Sequence, residues 1–244
     1  MCQSGLVHAG DREADELRAV APLLAEGKLI GAVTLVRNGD KTIGATDADV
    51  LRPYVGGKLA VATQLDGSAT IAITNWGLSR HAGLGLLDLS APVPAGRDVV
   101  PLGLGAVCAI VDARGSAAAL VGIARDGARF TRTWIPVQLD LDDGGMSDAP
   151  LRIASPIDEA HVGAKLAGAA LFAWYPANPA LGRAPEVLVI GVAQAYRGFA
   201  KPRAHPVLAE IVGLDDLGRA LLVAHQLEER EPELRQIAGE IESR

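Results

Sequence analysis

Between Leu29 and Val212 the chain runs as short stretches of Val, Ile, Ala and Leu, broken by Asn38-Gly39-Asp40, Gly56-Gly57, Asp66-Gly67 and Asp126-Gly127. Glycine supplies the positive φ that tight turns need, and Asn and Asp favour turns through their short polar side chains. Each of these sites therefore marks the end of one strand and the start of another. The pattern predicts strands over residues 29–37, 41–45, 58–65, 68–74, 84–89, 106–112, 117–124, 129–139, 168–174 and 186–195. Short strands at this spacing point to a barrel or a sandwich rather than to βαβ units.

Two segments depart from that pattern. Asp11, Glu13, Leu17, Val20, Leu23 and Leu24, closed by Gly27, fall at helical spacing and predict an amphipathic helix over 11–27. From Leu214 the period is helical again, with Asp215 and Asp216 near the N-terminal end and Leu217, Leu221, Leu222 and Leu227 along it; Pro232 breaks it and a charged tail follows to Arg244. Residues 140–150 and 175–185 are rich in Gly, Pro and Asp and read as surface loops.

At 244 residues and 49% hydrophobic composition the chain is long enough to bury a full core, and with 4% aromatics that core is aliphatic. A net charge of −6, with no basic run longer than two, leaves no footprint for a phosphate backbone, so nucleic acid is not expected as a partner. Asp11, Glu13, Asp15 and Glu16 stand where a secretion signal needs basic and then apolar residues, and no apolar run reaches the ~18 residues of a membrane span. A cytoplasmic protein without membrane attachment is expected. Cys2 and Cys108 are too few for a disulfide framework and read as free thiols.

Three separated segments carry more specific information. The first runs from Gly31 to Leu51 and closes on Thr46-Asp47-Ala48-Asp49-Val50-Leu51. The second is Gly83-Leu-Gly-Leu-Leu-Asp-Leu89, followed by Pro92-Val-Pro94. The third is Lys165-Leu-Ala-Gly-Ala-Ala-Leu-Phe172, with the strand Val187–Val192 after it. In this order they resemble the three catalytic segments of the trypsin-like serine proteases: Leu-Thr-Ala-Ala-His-Val-Leu, Asp-Ile-Ala-Leu-Leu-Lys-Leu, and Gly-Asp-Ser-Gly-Gly/Ala-Pro-Leu-Phe. The resemblance covers about residues 28–200. It implies an all-β chain with two six-stranded-type antiparallel barrels, over 28–105 and 106–212, flanked by helical segments at 1–27 and 213–244.

On that match Asp49 stands at the histidine position, Gly83 at the aspartate position and Ala167 at the serine position, while Gly168 is retained. The triad needs a hydroxyl to attack, an imidazole to take its proton and a carboxylate to orient the imidazole. Ala167 offers no nucleophile, a carboxylate is a poor stand-in for imidazole as a base near neutral pH, and Gly83 orients nothing. Lys165-Leu166, in place of the usual Gly-Asp, also removes the ground for assuming an oxyanion hole. The resemblance therefore implies a catalytically inactive member, with Asp49, Gly83, Lys165, Ala167 and Gly168 lining a vestigial cleft.

Other sites are weaker. His81 and His161 lie near Gly83 and Ala167 in sequence but have no accompanying nucleophile, and read as structural histidines. Asp140, Asp142, Asp143 and Asp148 invite a calcium reading, yet they lack the Asp-x-Asp-x-Asp-Gly order and its closing glutamate; Asp158-Glu159-Ala160-His161 has no second cluster to complete a zinc site. Gly83-x-Gly85 and Gly103-x-Gly105 lack the third glycine of a dinucleotide fingerprint. No metal and no cofactor is expected. The leading functional expectation is a non-catalytic module that binds or scaffolds protein partners. The alternatives are a subunit of a homo-oligomer or larger assembly, and a hydrolase using Asp49 or the Asp158–His161 segment.

Overall fold

The computed structural model describes residues 15–38, 41–78, 84–103, 117–140, 151–153, 163–175, 186–193 and 203–206. A 3-10 turn over Asp15–Ala19 leads into β1 (Val20–Ala25), β2 (Lys28–Asn38) and β3 (Lys41–Asp47). A one-turn helix, α1 (Ala48–Leu51), and a second 3-10 turn (Arg52–Tyr54) come next. β4 (Leu59–Ala62), β5 (Thr70–Leu78), β6 (Leu84–Leu89) and the two-residue β7 (Leu102–Gly103) follow. The strands pair in the order β1-β4-β5-β6-β3-β2, and β2 pairs back onto β1, so six antiparallel strands close into a barrel. β7 lies parallel against the far end of β2.

The remaining strands are β8 (Ala117–Asp126), β9 (Arg129–Val137), β10 (Leu139–Asp140), β11 (Leu151–Ile153), β12 (Ala164–Tyr175), β13 (Glu186–Ala193) and β14 (Arg203–Pro206). They form an antiparallel sheet in the order β10-β11-β14-β13-β12-β8-β9. Gln138 alone separates β9 from β10, so one stretch of chain borders β8 along its first part and β11 at its end. The described chain is all-β with one short helix, and no helix among the described residues is long and apolar enough to cross a membrane.

Successive side chains of a strand point to opposite faces, and in β1 and β2 both faces are buried. Ala21, Leu23, Val33 and Leu35 fill the barrel with Leu59, Val61, Ile71 and Leu87. Val20, Leu24, Ala32 and Val36 point the other way and pack on Val121, Ile123, Phe130, Phe172, Val189 and Val192 of the second sheet. This double burial corrects the helix expected over 11–27. All six side chains of β1 are buried, so no polar face marks the two-residue period. Pro22 is tolerated because β4 joins β1 only from Leu23 onward, leaving Pro22 opposite Ala32 of β2 alone. The stop at Gly27 is a hairpin turn: Glu26 and Gly27 take φ of 50° and 78°, the pair of positive angles that matches the twist of two antiparallel strands.

The expected strands at 29–37, 41–45, 84–89, 117–124 and 186–195 reappear as β2, β3, β6, β8 and β13. The strand expected at 168–174 begins earlier, at Ala164. β1, β7, β11 and β14 were not expected, and β5 continues to Leu78. The strand expected at 106–112, the helix from Leu214, and loop residues 141–150 and 176–185 lie outside the described residues.

Polar contacts fix how the sheets meet at β9. The Arg132 guanidinium donates to Val20 O (2.8 Å), Asp98 O (3.0 Å) and Arg18 O (3.2 Å), all from the barrel half of the chain. The Phe130 N–H donates to Leu65 O at 2.6 Å, and the Asp98 carboxylate accepts the Leu65 N–H at 2.8 Å. Replacing Arg132 by alanine removes three hydrogen bonds, though Arg18 O keeps the Val100 N–H and Asp98 O keeps the Arg18 Nε–H as donors, and hydrogen bonds to a charged group each carry about 1.5–3 kcal/mol. Arg132→Ala is expected to lower unfolding free energy by about 2–4 kcal/mol, and Arg132→Lys to recover less than half of that, because one ammonium does not span the three acceptors. Urea titrations of the two variants and the parent check this; a loss under about 0.5 kcal/mol for Arg132→Ala would remove Arg132 from the interface.

Candidate functional site

β12 does not run straight. Lys165 pairs with Ile123 and Ala170 with Val121, so Leu166, Ala167, Gly168 and Ala169 together stand opposite the single residue Gly122. Four residues facing one is a large bulge, and bulges re-aim the chain they interrupt. Gly122 makes room for it: a Cβ there would lie 2.7 Å from Lys165 O and 2.9 Å from Leu166 Cδ2.

The bulge is pressed onto the barrel. Gly168 has φ of 78°, and a Cβ on it would overlap Ala32 O of β2 and Thr46 Oγ1 of β3. Those two atoms are themselves joined, the Thr46 hydroxyl donating to Ala32 O at 2.7 Å in a buried hydrogen bond. One residue earlier, Ala167 O sits 2.8 Å from where a Gly31 Cβ would stand, and Val50 Cγ1 lies 3.2 Å from the same point. Ala167 is partly buried and packs against the apolar cluster of the barrel.

The first segment arrives from the other side. β3 ends at Asp47, which is buried and extended at the start of α1, and α1 carries Asp49 in its only turn. Asp49 Oδ1 lies 3.4 Å from Arg52 Nε, a pair whose guanidinium is 61% exposed and whose carboxylate is 17% exposed. In that setting the pair adds little stability. The second segment enters through β6: Leu84 pairs with Asp47 and Gly85 with Thr46. A Cβ on Gly85 would overlap Leu51 Cδ1 of α1 and reach Thr46 Cγ2 at 3.4 Å.

The structure thus brings Ala167 and Gly168 against the β2–β3 hairpin and against Val50, the neighbour of Asp49. Lys165, the last residue before the bulge, is exposed. Gly83, His81, His161, Asp158, Glu159 and both cysteines lie outside the described residues, as does the acidic loop after Asp140. Among the described residues no group of three His, Cys, Asp or Glu side chains is placed to hold a metal ion. Thr46 enters the sequence reading only as part of the first segment, with no role of its own, although it touches Gly168 of the third segment and faces Gly85 of the second. The available signal was glycine at each close approach: Gly31, Gly85, Gly122 and Gly168.

The arrangement has a methyl group at Ala167 and a hydroxyl at Thr46 that is already donated to Ala32 O. Neither is a nucleophile with a base beside it. No family model and no curated protein matches the chain. Solved structures do match: human heparin binding protein aligns with a TM-score of 0.59 at 14% identity, over 85% of this chain and 94% of that one. A mutant of the same human protein aligns with a TM-score of 0.57 at 16% identity over the same shares. The likeness establishes a trypsin-like fold.

Gly168→Ala is expected to cost at least about 3 kcal/mol, combining a left-handed φ with overlap of a buried hydrogen-bonded pair. Gly56→Ala, with φ of 75° but nothing within 4 Å, isolates the conformational part and should cost about 1 kcal/mol. Denaturant melts of the two variants side by side check the difference; equal losses would mean that Gly168 is not pressed on Thr46.

Proposed function

We propose that this chain is a non-catalytic module that binds or scaffolds protein partners, built as two barrels with the second sheet closed through the continuous β9–β10 stretch. In this reading Asp49, Gly83 and Ala167 occupy the positions of His, Asp and Ser. The observation that carries it is the β12 bulge. It sets Ala167 and Gly168 against β2 and β3 beside α1, with a methyl group at position 167. On the match to the trypsin-like segments that residue stands at the serine position, so this reading keeps the fold without the reactive group and favours a surface role over turnover.

Human heparin binding protein, to which the fold is similar, is named for binding heparin. Its ligand is a poor guide here, because this chain has 29 acidic residues against 23 basic ones and a pI near 5.4, the wrong balance for a polyanion. A protein partner is the better fit to a chain of this acidic balance.

Loss of one member of a catalytic triad lowers turnover by roughly 10⁴–10⁶-fold, and the members act as a unit. The parent chain is therefore expected to leave a fluorogenic peptide library at background, and Ala167→Ser alone to remain there. Hydrolysis by the parent that disappears in Asp49→Ala, with folding unchanged by circular dichroism, would overturn the reading. A photo-crosslinking residue at Lys165 is expected to capture a discrete partner from the native source.

A further inference from the structure

We draw no further inference here: the strongest candidate, the outer face of β9 around the exposed Trp134 and Pro136, carries none because nothing in the structure shows what covers it.

Discussion

The junction between the barrel and the second sheet turns on the absence of one side chain. Gly168 rests its backbone on the buried hydrogen bond from the Thr46 hydroxyl to Ala32 O, at a φ of 78° that an L side chain rarely takes. That bond by itself contributes only about 0.5–1.5 kcal/mol. Its larger effect is steric. It draws β2 and β3 into the surface on which the β12 bulge lies, and the surface accepts nothing bulkier than glycine there. Gly31 repeats the requirement under Ala167, and Gly122 repeats it on the opposite side of the bulge. The closest approaches therefore fall between backbone atoms and glycines, which hold their positions better than side chains with free torsions do.

A second fixture stands at β9, where Arg132 gathers carbonyls from Arg18, Val20 and Asp98, and Phe130 bonds to Leu65. Between the two fixtures lies an apolar layer that includes Val36, Leu86, Ile123 and Phe172. Burial of each such side chain contributes about 1.5–3 kcal/mol, so the layer supplies most of the attraction between the sheets. It supplies little direction, because aliphatic surfaces of similar volume can slide and repack. The Thr46–Gly168 and Arg132 contacts choose one arrangement from those the apolar layer permits.

How far the sequence reveals this differs from element to element. β6 covers the apolar run Leu84–Leu89 and stops before Ser90, ahead of the Pro92-Val-Pro94 stretch. β1 escapes, since burial on both faces erases the alternation that identifies a strand, and the acidic residues before it imitate an amphipathic helix. Pro22 was the contrary signal: a helix interior does not accept it, and a strand partnered on one side at that point does. The three resembling segments drew attention to Ala167 and Gly168, which the structure sets against β2 and β3. They named Thr46 without its role and passed over Arg132, since a threonine or an arginine in a strand has no local pattern that shows which distant carbonyl it reaches.

The same geometry shows which atoms hold the junction together. Gly168, Gly31 and the carbonyl of Ala167 define the junction, and none of these contacts uses the side chain at position 167. Asp49 projects from a single helical turn toward Arg52, and the core beneath it is made by its neighbours Val50 and Leu51. The glycines and the threonine beside position 167 are thus tightly tied to stability. Under the non-catalytic reading proposed above, those residues keep the interior fixed while binding is left to the exposed surface around them.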